Sequence, residues 1–156
     1  MTRPCPTTPL ATALSPFGAG GRLFFLDGPL LLLAALGVIG WSLPRPVVVL
    51  PLGTLALKAL AEELVFRLWL QDGLDARLGR TLRLGPLSLA NVAASAAFSA
   101  VHLVNHQPLA ALSVFLPSLA FGLAWDRHRT IWAPWALHLL YNACYFHKDA
   151  MLSFFS

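Results

Sequence analysis

Charge is what this sequence has least of. Only 12% of its 156 residues are Asp, Glu, Lys or Arg, and 57% are hydrophobic, with a mean hydropathy of +0.67. Soluble domains carry about a quarter of their residues charged, so a water-soluble globular domain is excluded and a membrane protein is expected. The net charge of +4 is too thinly spread to make a nucleic-acid surface. Cysteine is almost missing as well. Cys5 and Cys144 are the only two, one in a polar leader and one in an apolar run, so neither a disulfide framework nor a CxxC metal site can form. There is no HExxH, no internal repeat and no low-complexity tract.

What is present is a series of apolar runs. Residues 1–22 are rich in Pro, Thr, Ala and Gly and read as a flexible cytoplasmic leader. Residues 23–156 then form a single integral-membrane domain. The runs are Leu23–Leu43, Val47–Leu70, Leu87–Val104, Pro108–Trp125 and Ile131–Phe146. A spanning helix needs about 20 apolar residues. In the first run Pro29–Leu43 is short of that length, so the span takes in Leu23–Leu26. The expected fold is all-α, a polytopic membrane bundle of about five transmembrane helices. Asp72-Gly73 should close the second run, and Arg77, Arg80 and Arg83 with Leu74, Leu78 and Leu82 suggest a short amphipathic piece on the membrane surface.

Basic residues in the connections orient the bundle. With five alternating runs, Arg3, Arg22, Arg77, Arg80, Arg83, Arg127 and Arg129 fall on one side, and Arg45 and Lys148 on the other. The N-terminus is then cytoplasmic.

Three runs each hide a polar motif: Glu62-Glu63-x-x-x-Arg67, Phe98-x-x-x-His102 and His138-x-x-x-Asn142. Charged groups in hydrocarbon cost about 2.5–3.5 kcal/mol each on insertion scales, so they are kept where they pair, line a cavity or do chemistry. Glu63 and Arg67, four apart, suit an ion pair. Glu62 points about 100° away round the helix and is available as a base toward His102. His138 and Asn142 share a face and are hydrogen-bond donors suited to an oxyanion. Lys58 lies one turn before Glu62 with no assigned task; the alternative for Glu62 is a structural pairing with it in a buried network. The third run carries a stripe of Asn91, Ser95, Ser99 and His102, continuing to His106, expected to face the bundle interior. Ser118 and Gly122 in the fourth run form a small-xxx-small pair for close packing. His106, His128 and His147, all near loops, read as ordinary surface residues, and Trp132, Trp135 and Tyr145 as interface anchors.

These three motifs together, over Leu57–Cys144, resemble the signature of the CPBP family: CAAX prenyl endopeptidases of the Rce1 type and compact bacterial relatives active in bacteriocin processing, immunity or C-terminal protein sorting. The resemblance implies a glutamate-dependent intramembrane endopeptidase built as a helical bundle. By motif position it makes Glu62 and His102 the water-activating residues, His138 and Asn142 the oxyanion donors, and Glu63 and Arg67 the supporting pair. It implies a membrane-anchored protein or peptide as substrate, the lipid bilayer as environment, no nucleic acid and no cofactor. Zinc held by Glu and His is the alternative. A competing reading is a non-enzymatic immunity or partner-binding protein whose polar cluster only locks the bundle. A proton path is disfavoured because polar residues line only the third run.

Overall fold

The computed structural model describes residues 7–17, 26–37, 50–79, 81–104 and 108–147. Eight helices carry the fold among these residues: α1 (Leu10–Ala13), α2 (Gly28–Gly37), α3 (Leu52–Glu63), α4 (Asp72–Leu78), α5 (Leu89–His102), α6 (Pro108–Ser113), α7 (Phe115–His128) and α8 (Trp132–Phe146). A π-helical segment, Leu64–Gln71, joins α3 to α4 without a break. The expected all-α bundle is found, with one minimal hairpin, β1 (Arg83–Leu84) and β2 (Leu87–Ser88), turning at Gly85. That glycine has φ +62, which suits a residue without Cβ.

Helix starts follow local chemistry. Pro51 immediately precedes α3, Pro108 opens α6, and Pro117 and Pro134 sit in the first turns of α7 and α8, where a missing N–H costs nothing. Ser88 caps α5 by accepting from the Asn91 backbone N–H at 3.0 Å.

α8 packs against α2, α3 and α7, and α5 lies across α7 and the π segment. Leu30, Ala120, Phe121, Ala124, Ala133 and Leu137 form one core between α2, α7 and α8. The small-xxx-small pair allows the expected close approach. Asn91 of α5 presses so closely on Gly122 that a Cβ there would lie 1.9 Å from its Oδ1. The stripe on α5 faces inward as expected: Asn91 Nδ2 donates to Leu119 O at 3.0 Å, Ser95 Oγ to Asn91 Oδ1 at 3.1 Å and Ser99 Oγ to Ala111 O at 2.7 Å. His106 lies outside the described residues, as do Cys5, Arg80 and Lys148.

The expected bundle of about five spans is matched in its helical character rather than in its count. Among the described residues one helical stretch, Pro108–His128, is long and apolar enough to cross a membrane, while α2 and α5 are apolar but shorter. The first run is described only from Leu26 to Gly37, and its helix begins after Asp27, which is held by Arg127 and His128 at the end of α7. Asp72-Gly73 does not end the second run. The chain stays helical to Leu78 because Asp72 is neutralised by Arg129 (3.0 Å) and bonded by Thr8, which outweighs the intrinsic cost of Gly73. The expected surface piece is therefore α4 followed by the hairpin.

The described part of the leader is docked. Thr8 donates through its backbone N–H and its hydroxyl to Asp72, Ile131 N–H donates to Ala13 O, and Trp132 Nε1 donates to Leu14 O. Ala13 is fully buried with Trp125 and Ile131. Its small side chain and the carbonyls of α1, which lack helical partners in so short an element, explain why this segment straps the α7–α8 turn.

Candidate active site

Glu63, like Arg67, has no exposed surface. It sits at the junction of α3 and the π segment, and α8 brings His138 to it. Glu63 Oε2 accepts from Arg67 Nε at 3.0 Å, and Oε1 lies 2.7 Å from His138 Nδ1. A ring nitrogen that close to a carboxylate is assigned as the donor. The opposite nitrogen, His138 Nε2, stands 3.5 Å from Glu62 Oε2, and Glu62 Oε1 is 3.6 Å from Lys58 Nζ. One imidazole therefore bridges two sequence-adjacent carboxylates. The pairing of Glu63 with Arg67 is as the sequence suggested, whereas Glu62, expected to be free of Lys58, meets it in the contact that the competing structural reading gave it. The approach of Glu62 to His138 was not read from it, since Glu62 was expected to turn toward His102.

Aromatic rings fix the imidazole's orientation. Phe121 stacks on His138 at 4.6 Å and 13°, and Phe98 meets it edge-on at 5.9 Å. Phe98 also packs against the ring of His102 at 4.5 Å and is backed by Phe66 at 5.0 Å. His102 Nδ1 lies 2.8 Å from the Phe98 carbonyl, which it serves as donor. The two histidines thus flank one phenylalanine. Asn142 is half-buried one turn beyond His138 on α8. Tyr141, beside it, donates to Leu33 O and packs on Gly37, tying α2 to this helix.

The support behind Glu63 extends further than the motif. Arg67, fully buried, also donates through Nη1 to Gln71 Oε1 at 3.2 Å and through Nη2 to Ser118 O at 3.0 Å and Ser118 Oγ at 2.6 Å. Gln71 Nε2 donates to Gly122 O and to Asp126 Oδ1. Arg129 then gathers Asp72, Asp75 and Asp126 at 2.9–3.2 Å, with a left-handed backbone at φ 52 that turns α7 into α8. This polar ladder from Glu63 to Arg129 was missed, although Glu63, Arg67, Gln71 and Asp75 recur at four-residue steps and are all buried. In a regular α-helix a four-residue stripe drifts about 40° per step. The π segment, with its wider i→i+5 turn, offsets that drift and keeps the stripe on α7.

Among the described residues no group of three His, Cys, Asp or Glu side chains is arranged as metal ligands. Both ring nitrogens of His138 face carboxylates. A cavity of about 450 Å³ opens elsewhere, beside the strap at Thr8, Trp69, Asp72 and Arg77, and none of the six candidate residues lines it.

Residues 44–144, about two thirds of the chain, match the family described as Type II CAAX prenyl endopeptidase Rce1-like. The chain belongs to that family of membrane proteases, and the match spans every motif residue from Glu62 to Asn142. No curated protein and no solved structure matches it.

Proposed function

We propose that the protein is an intramembrane endopeptidase that hydrolyses a peptide bond in a membrane-associated protein, using a water activated by Glu62. The observation that carries this reading is the Glu63–His138–Glu62 bridge. A carboxylate wholly committed to structure fixes an imidazole, and the imidazole's other nitrogen faces a second, partly accessible carboxylate. A purely structural cluster needs no second carboxylate and no accessible edge.

In this mechanism Glu62 takes a proton from water, and the hydroxide adds to the substrate carbonyl carbon. His102, held through Nδ1 by the Phe98 carbonyl, orients the water with its second nitrogen. The oxygen of the tetrahedral intermediate turns to Asn142 Nδ2–H and to His138 Nε2–H, a donor that His138 has only as the imidazolium, with its Nδ1–H held by Glu63. Collapse breaks the C–N bond, and the proton on Glu62 passes to the leaving amine. Glu63 and Arg67 position His138. The step uses no metal, and the zinc-dependent version of the same protease is its direct rival. The N-terminus is read as cytoplasmic on the strength of the basic connections, and the membrane as a bacterial inner membrane from the resemblance to the compact bacterial relatives.

The test is cleavage of a mixture of hydrophobic peptides, with and without an S-prenyl cysteine, by purified protein in liposomes, read by mass spectrometry. New termini that persist in a metal chelator support the mechanism. Absence of cleavage refutes the peptidase reading, and cleavage abolished by chelation and restored by zinc refutes the metal-free step.

A further inference from the structure

Of the four charged residues between Lys58 and Arg67, Lys58 is the one that the mechanism leaves without a task. It lies on the same face of α3 as Glu62, and its side chain is 54% exposed against 21% for Glu62. The other cation close to the site, Arg67, is fully buried with its guanidinium committed to Glu63, Gln71 and Ser118. Lys58 is therefore the described cation beside the candidate base that a substrate can reach. Its contact with Glu62, 3.6 Å from Oε1, is long and easily exchanged, and while it lasts it occupies the oxygen that faces away from His138.

We infer that Lys58 recognises a carboxylate of the substrate, and that this exchange releases Glu62 Oε1 to water. The inference rests on the peptidase reading. The reach is set by the helix. Lys58 is one turn from Glu62, about 5.4 Å along the axis, and its four-carbon stem adds a similar distance. The carboxylate then sits within about 10 Å of the attacked carbonyl, which is up to three residues of extended chain at about 3.3 Å each. A chain-terminal carboxylate and an Asp or Glu side chain offer the same chemistry.

The test uses one cleavable peptide from the mixture above in three versions: free C-terminal acid, C-terminal amide, and amide with Asp as the last residue. Wild type is expected to cleave the free acid at least about tenfold faster in kcat/KM than the amide, the scale of one charge-assisted hydrogen bond. The Asp-amide separates the two sources: recovery of rate shows that any nearby carboxylate serves, and no recovery shows that the chain terminus is read. In Lys58→Met the acid-to-amide ratio should fall to near one, and Lys58→Arg should keep it. An unfolding midpoint unchanged from wild type is expected for both, since the side chain is exposed. An equal acid-to-amide ratio in wild type and Lys58→Met, or equal loss on all three peptides, overturns the assignment while leaving the peptidase reading intact. No cleavage of any peptide by wild type sinks that reading, and this inference with it.

Discussion

Replacing Arg67 with Met tests how the candidate site is held. The substitution removes a guanidinium that serves Glu63, Gln71 and Ser118 at once from a position with no exposed surface. Three of its hydrogen bonds go to neutral acceptors, worth about 0.6 kcal/mol each in a membrane protein, or about 2 together. The larger part comes from Glu63, which is left buried with His138 as its remaining hydrogen-bond partner. Stranding one member of a buried ion pair costs about 3–5 kcal/mol. A destabilisation of about 5–7 kcal/mol is expected, most of it from the carboxylate. Adding Glu63→Gln to Arg67→Met should then recover about half, a coupling of at least 2 kcal/mol. Reversible unfolding in mixed detergent micelles, followed by tryptophan fluorescence, measures all four proteins. A cost below about 1 kcal/mol for Arg67→Met, or a double variant equal to the sum of the singles, would refute the reasoning. Arg67→Lys should rescue little, because a point donor does not span three acceptors.

Other consequences are open to measurement. Gly122→Ala forces a methyl against the Asn91 side chain, which is fixed by Leu119 O and Ser95. It should lower stability by about 1–3 kcal/mol, and Asn91→Ala in the same chain should relieve part of that loss. Removing residues 1–17 should destabilise the bundle and shift tryptophan emission, since Trp132 donates to Leu14 O and Ala13 is buried beside Trp125; an unchanged midpoint would mean the strap carries no stability. Asp27 precedes the apolar part of α2, and hydrogen bonds from Arg127, opposed by partial burial and joined by His128, hold its carboxyl down from 3.8 to about 2. The stabilisation is complete above pH 3.8 and is lost as pH falls from there through 2. Arg127 is 41% exposed, so screening limits it to about 1 kcal/mol. Asp27→Asn should flatten the acid limb of the stability curve over that window and leave neutral pH lower by the same amount.

The sequence was most legible where polar residues interrupt apolar runs. Glu63–Arg67, the inward stripe Asn91–Ser95–Ser99 and the Ser118–Gly122 seam are all placed as their spacing suggests. Span lengths were less legible, because hydropathy marks apolar composition and not where a helix breaks. Val114 separates α6 from α7 within one apolar stretch. The ladder past Arg67 was hidden by Asp72-Gly73, which looks like a stop until Arg129, 57 residues later, neutralises the aspartate. The π turn has no signature of its own, and without it a four-residue polar recurrence reads as a stripe that soon rotates out of contact. Glu62 illustrates the same limit. Its helix position was clear, yet its facing partner is His138, since α3 packs on α8.

The most direct measurement is the rate of peptide cleavage by Glu62→Gln, taken beside its unfolding midpoint. Glu62 is partly exposed and outside the Arg67 ladder, so the variant should fold with a midpoint close to wild type. Loss of the general base should lower kcat by about 10²–10⁴-fold. Full activity in a folded Glu62→Gln protein would contradict the account.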